Sequence, residues 1–279
     1  VGIVGLPGVE AERGNALRLR ARIALLVEAA TLAGHPLPIE TVERLTGSRV
    51  VEDLLPAGVM VRDGVIIRRG FEYGRELDGT EIDRVRGWVK ELLSRIGVVK
   101  GPLSLGLCGS LAYGSMRWDD DIDLYVVSKP GHLWIHLFRM FLALRVLALK
   151  LQISRCPFKL CLSYAVDARE MARVASSPDP LERLEMDAAI PLAGLPLKRV
   201  WQWDGLGVGQ TLPRFLNLLL MAFMKPYLRF KQHIMNSRFR LRREYGRMFR
   251  YVVGPGRFTV TSRRYEMIQR LYGAYCYEA

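Results

Sequence analysis

The sequence predicts an α+β fold: a small helix-and-hairpin module, a strand–helix core, and a helical, basic C-terminal region. Three observations predict it. Apolar residues recur at threes and fours over residues 11–34 and share one face over 79–97, the spacing of helices. Asp63-Gly64 separates two apolar runs, Val59–Val61 and Val65–Ile67, the strongest local signal of a hairpin. Strand-like and helix-like segments then alternate from Leu103 to Val166, the order of a mixed core.

The first helix, residues 11–34, carries Leu17, Ile23, Leu26, Ala29, Ala30 and Leu32, and Gly34 and Pro36 end it. Short helices come next at Ile39–Leu45 and Arg49–Leu55, then the hairpin. Three helices and a hairpin are the layout of a winged helix, expected over residues 1–78. Its third helix would enter a DNA groove, yet holds Glu52 and Asp53, which would face phosphates. Packing or protein contact is therefore expected of it rather than DNA reading.

Residues 79–175 form the expected core. Helix 79–97 sets Trp88, Leu92, Leu93 and Ile96 on one face. Strands are predicted at Leu103–Cys108, Asp121–Val127 and Phe158–Val166, with a short helix after Gly109-Ser110 and a long one over 131–152. Residues 176–279 read as helical, at 180–190, 211–246 with a break near Pro226, and 261–275, where Thr261-Ser262 is a plausible cap.

Half of the 279 residues are apolar, which excludes a wholly disordered chain. Four cysteines (Cys108, Cys156, Cys161, Cys276) lie far apart with no CxxC pair, against a disulfide framework or a structural zinc site. No basic run precedes the apolar residues 1–9, so no secretory leader is expected, and a reducing, cytoplasmic setting is the expectation. The most hydrophobic stretch, Leu133–Ile153, contains His136, Arg139, Arg145 and Lys150, so a buried helix and no membrane partner are expected.

The net charge of +13 is localised. Residues 225–270 hold 13 Lys/Arg against Glu244 and Glu266, a net +11. Tyr227, Phe230, Phe239, Tyr245, Phe249 and Tyr251 interleave with those cations. Such a segment tracks a phosphate backbone and stacks bases, so Arg238, Arg240, Arg242, Arg243 and Arg247 are the expected nucleic-acid contacts, with RNA the leading partner. An acidic protein partner and triphosphate steering stay open.

The chemistry is concentrated in Cys108-Gly109-Ser110, a ten-residue spacer, and Asp121-Ile122-Asp123-Leu124. Glycine lets a backbone approach a phosphate, and the amides and hydroxyl after it point donors there. On a strand Asp121 and Asp123 share one face, about 7 Å apart, while Ile122 and Leu124 go to the core. Paired carboxylates suit hard cations, most naturally Mg2+. A metal beside a phosphate cradle equips a site for phosphoryl or nucleotidyl transfer.

This pattern resembles the nucleotidyltransferase superfamily of the polymerase β type, whose motif it matches over about 20 residues, with the strand–helix order extending the likeness over 100–170. The resemblance implies a nucleotidyltransferase core, a nucleoside triphosphate such as ATP as donor, and two Mg2+ ions held by Asp121 and Asp123. Gly109, Ser110 and Arg117 would bind the nucleotide. The family adds a third carboxylate from a neighbouring strand; the candidate is Asp167, although Asp167-Ala168-Arg169-Glu170 also looks like a helix start. Lys159 and Ser163 are candidates for lining the cleft. His132 and His136 lie one helical turn apart but lack a metalloprotease pattern, and solvation or core hydrogen bonding is expected of them. Three readings compete: an RNA-directed transferase, a binding protein on a degenerate core, and a toxin-type transferase with a protein partner.

Overall fold

A computed structural model describes residues 19–28, 30–31, 35–50, 52–71, 73, 77–153, 159–175, 180–201, 211–243 and 248–262. The chain divides into two compact units, residues 1–74 with 264–279, and residues 75–263.

In the first unit, helix α1 (residues 19–28) buries Ile23, Leu25, Leu26 and Val27. Strand β1 (Leu37–Pro38) leads into α2 (Ile39–Thr46), which buries Thr41, Val42 and Leu45 and ends on left-handed Gly47. Strands β2 (Val59–Arg62) and β3 (Val65–Arg68) form the predicted hairpin in a three-stranded antiparallel sheet of order β1-β3-β2. Asp63 and Gly64 both take positive φ (50° and 77°), the backbone of a two-residue turn whose twist matches the strands. The helix expected at Arg49–Leu55 is corrected to one 3-10 turn, Glu52–Leu54. The Val50 amide donates to Glu43 Oε1 at 3.0 Å, holding the chain against α2, and Pro56 bars a longer helix.

The second unit opens with α3 (Gly79–Arg95), started by a capping box between Asp78 and Glu81. Then come β4 (Ser104–Cys108), α4 (Gly109–Tyr113), β5 (Asp121–Ser128), α5 (Leu133–Ile153) and β6 (Lys159–Asp167). This order agrees with the expected core. Helices α6 (Ala168–Ala175) and α7 (Pro180–Ala188), strand β7 (Ile190–Gly194), helices α8 (Leu197–Trp201) and α9 (Thr211–Leu241), and strands β8 (Phe249–Gly254) and β9 (Arg257–Ser262) complete it.

One six-stranded sheet of order β7-β4-β5-β6-β9-β8 organises this unit. Among the described strands only β5 and β6 are parallel, joined across α5; every other pair is antiparallel. Alternation along the strands serves two apolar layers. Leu105, Leu107, Ile122, Leu124 and Val126 join Trp134, Leu137, Met224 and Leu228 on one side. Cys108, Tyr125, Val127, Tyr164 and Val166 join Met171, Met186 and Leu197 on the other.

The structure corrects the helical reading of residues 176–279. Three strands from this region flank the core sheet at both edges, so it is not a separate helical domain. Thr261 and Ser262, expected to cap a helix, lie in β9; the rest of that expected helix falls outside the described residues. Helix α9 also runs through Pro226 without the expected break. Met224 and Leu228 are buried on either side, and their packing offsets the roughly 3 kcal/mol that an interior proline costs. The inner face of α9 is tied down by amides: Asn217 Oδ1 accepts from the Trp134 amide at 2.7 Å, Gln232 Oε1 from the Tyr251 amide at 2.9 Å, and Asn236 exchanges two bonds with Phe249. No described helix is long and apolar enough to cross a membrane.

Candidate nucleotide and metal site

Strands β4 and β5 run antiparallel with Cys108 opposite Asp123. The end of β4 and the start of β5 therefore meet, and Gly109, which opens α4, comes against the Asp123 side chain. Gly109 has φ +67°, a left-handed conformation that side chains with a Cβ seldom take. A Cβ built there would stand 2.7 Å from Asp123 Oδ2 and 3.3 Å from its Cβ. The bare glycine thus makes room for the carboxylate. Ser110 comes next, half-buried, its carbonyl accepting from the Ser115 amide at 3.0 Å.

Asp121 begins β5 at the exposed end of this interior strand, and Asp123 is half-buried two residues on. Burial pushes the Asp123 carboxyl up to about 7; the hydrogen bond from Ser163 works the other way, and the neighbouring charges of Asp121 and Asp120 add to the rise. Ser163 sits on β6 where the register with β5 slips between Leu124 and Tyr125, and its Oγ donates to Asp123 Oδ1. Lys159 is Asp121's register partner on β6 and is exposed, while Cys161 stands opposite Asp123. Burial, then the Asp123 charge, lifts the Cys161 thiol to about 12, and Lys231 on α9 acts in the opposite sense. Cys108 is likewise raised, by burial and by Asp123. Neither thiol is a thiolate near neutrality, so neither is a nucleophile there. Sequence alone does not single out Lys231. No local pattern shows which residue of a long basic helix brings its charge to bear on Cys161.

Arg117 closes the loop before the pair. Its amide donates to Asp120 Oδ2 at 2.9 Å, and its guanidinium lies 3.4 Å from Asp119 Oδ1 and from Asp120 Oδ1. Part of the clustered acidity is thereby neutralised inside the loop, leaving Asp121 and Asp123 as the strand pair. In this arrangement the guanidinium is turned to its own loop.

Asp167 is not brought to this pair, and its expected place as third ligand is corrected. It ends β6 opposite Ser128, at the other end of β5 from Asp121. Because β5 and β6 are parallel, seven residues of strand, about 23 Å, separate that position from Asp121. Asp167 instead caps α6: its Oδ1 accepts from the amides of Arg169 at 3.0 Å and Glu170 at 3.1 Å. Its amide donates to Gly256 O at 2.8 Å, and a Cβ on Gly256 would stand 2.5 Å from Asp167 Oδ2. Burial raises its carboxyl despite both amides.

His132 and His136 stack with ring centroids 6.4 Å apart; His132 Nδ1 lies 3.1 Å from the Pro130 carbonyl. Burial, and then His132, lower His136 to about 4, so it is neutral near pH 7. Arg238 and Arg240 are exposed in the last turn of α9, and Arg242 and Arg243 come directly after it. Arg247 lies outside the described residues.

Among the described residues no group of three or more His, Cys, Asp or Glu side chains is set to hold a metal. The residues at the β4–β5 junction nevertheless fit one Mg2+. They offer two hard oxygen donors, the Asp123 charge is costly without a counter-ion, and a glycine keeps the space beside it clear. One or two carboxylates with substrate phosphates are a usual Mg2+ set; the two ions expected from the resemblance have no third carboxylate from Asp167 beside this pair. No protein-family model, curated protein or solved structure matches this chain.

Proposed function

We propose that this protein is a Mg2+-dependent nucleotidyltransferase that moves a nucleotide from a nucleoside triphosphate to an acceptor hydroxyl, with RNA the favoured acceptor. One observation carries the reading: Gly109, opening α4 with positive φ, lies directly against the carboxylate of Asp123. A phosphate-cradling turn and a cation-seeking carboxylate are thus parts of one site rather than two motifs near in sequence.

In this reading Gly109 and Ser110 receive the triphosphate, and Asp121 and Asp123 hold the cation. Bound there, Mg2+ supplies charge neutralisation on the phosphates and the departing pyrophosphate. The acceptor hydroxyl gives up its proton to solvent water, its oxygen forms a bond to the α-phosphorus, the bond to the bridging oxygen breaks, and pyrophosphate leaves. Ser163 orients Asp123, and Lys159 brings positive charge to the strand end where Asp121 lies. The cations Arg238, Arg240, Arg242 and Arg243, with no acid among them, hold the polyanionic acceptor.

A second reading, a binding protein on a degenerate core, is favoured by the placement of Asp167 away from the strand pair, with no group of three metal-ligating side chains among the described residues. One experiment separates the two: the protein is incubated with labelled nucleoside triphosphates, Mg2+ and total RNA or protein. Transfer of label that disappears in Asp121→Ala and Asp123→Ala supports the enzyme. No label on either acceptor, with RNA affinity unchanged in both variants, supports the binding protein.

A further inference from the structure

Helix α9 is apolar on two opposite sides. Its inner side packs Met221, Met224 and Leu228 into the core. Its outer side carries Leu212, Phe215, Leu216, Leu219, Phe223 and Phe230, and all of these are exposed: Leu212 at 75%, Phe223 at 68%, Phe230 at 64%. At 100° per residue they fall within an arc of about 100°, and the stripe runs about 27 Å along the helix. Tyr227 sits at its edge and accepts a hydrogen bond from Arg145 of α5. On α5, Leu142 and Val146, a turn apart on either side of Arg145 in sequence, are exposed as well. A soluble chain seldom leaves so large an apolar face without an occupant.

Charge identifies the occupant. Along the stripe itself, from Thr211 to Phe230, there are three cations (Arg214, Lys225 and Arg229) and no Asp or Glu, and Leu133–Ile153 has three Lys/Arg and again no acid. A second copy laid on this face would set cations against cations, so the partner is anionic. The face is also wider than a coiled-coil seam, because a neighbouring helix adds to it. A broad stripe of Leu and Phe, flanked by Arg and Lys and free of acids, suits a helix lying in the plane of a lipid surface. Its apolar side enters the headgroup boundary and its cations meet the lipid phosphates.

We infer that the outer face of α9, joined by Leu142 and Val146, docks this protein on an anionic membrane surface. The expectation of no membrane partner rested on cations within Leu133–Ile153, which argue against a span. They do not argue against a helix lying flat. The inference is independent of the nucleotide site.

The test uses the full chain, with vesicles of phosphatidylcholine alone and of an equimolar mixture of phosphatidylcholine and phosphatidylglycerol. Co-sedimentation reads binding, and light scattering reads the mass in solution. Partition onto the mixed vesicles is expected to be about tenfold or more above that onto phosphatidylcholine, and weaker at high salt. Phe223→Ser with Phe230→Ser is expected to lower it about tenfold or more. Both residues are exposed, so circular dichroism should show the fold kept; Leu212→Ser with Phe215→Ser tests the other end of the stripe. The inference is overturned by absence of binding to either vesicle. Equal vesicle binding by the serine variants also overturns it, since the attraction would then be charge alone. So does a dimer in solution that those variants dissolve, or an RNA affinity that they abolish without vesicle binding.

Discussion

Gly109 and Asp123 touch: the space a Cβ would fill on one is held by the carboxylate of the other, 2.7 Å away. Cross-strand register makes the contact, because Cys108 stands opposite Asp123 and leaves Gly109 as the first residue past the end of β4. Gly109→Ala is therefore expected to strike fold and site together. Positive φ costs an L-residue about 1–2 kcal/mol, and the added methyl group meets the carboxylate as well. Urea denaturation should show at least that loss, and transfer of labelled nucleotide should fall by about 100-fold or more.

The Asp123 carboxyl makes stability depend on pH in a definite sense. Its folded value, about 7, is above its ordinary 3.8, so the folded state holds the proton more tightly than the unfolded state. The stability this adds is full below the unfolded value and is lost as pH rises towards 7. Metal-free protein should thus melt at a higher temperature near pH 5 than near pH 8. Asp123→Asn should reduce that difference, and Mg2+ should raise the melting temperature near pH 8 in the parent but not in the variant.

Ser163 reaches Asp123 from β6, and its hydroxyl lowers the carboxyl that burial raises. Ser163→Ala should move the acidic limb of the rate–pH profile upward, since a higher pH is then needed to ionise Asp123. Ser163→Thr keeps a hydroxyl and should restore the profile. A serine that only fills space would lower stability in the alanine variant and leave the limb in place.

Asp167→Ala should cost about 1 kcal/mol of stability through the lost cap on α6. Mg2+ affinity and transfer should stay within about twofold of the parent, because β6 carries this residue away from Asp121. A loss of transfer without a loss of stability would return Asp167 to the site.

If Arg238, Arg240, Arg242 and Arg243 hold RNA phosphates, replacing each with Gln should weaken binding about equally across sequences. The slope of log affinity on log salt should become shallower by roughly 0.7–0.9 per contact removed, as a salt titration of fluorescent RNA would show.

The parts of this fold legible in the sequence are those set by local alternation. Asp121-Ile122-Asp123-Leu124 sends its apolar pair into the core, Asp63-Gly64 turns the hairpin, and α3, β4, β5, α5 and β6 lie within a few residues of their predicted bounds. Strand pairing is not legible there. Nothing in Asp167-Ala168-Arg169-Glu170 says that β6 lies parallel to β5, yet that direction alone takes the carboxylate to the far end of the sheet. The hairpin Phe249–Ser262 does carry a local signal, Gly254-Pro255-Gly256 between two alternating runs, but its pairing with β6 joins residues some 90 positions apart and has no local mark. The Arg49–Leu55 segment has helical length, and a contact from Glu43 outweighs it.

Strand β9 pairs with β6 across some 90 residues of intervening chain, and β8 closes the edge beyond it. This separation gives biosynthesis an order. The part of the chain carrying both aspartates leaves the ribosome with one margin of its sheet open, and β9 emerges only some 90 residues after β6. Until then β6 presents unpaired backbone amides and carbonyls to any other nascent chain. Folding is correspondingly slow, since the closing contact must wait for a long loop to form. A stop codon placed before Phe249 would therefore yield an aggregating fragment rather than a smaller folded protein.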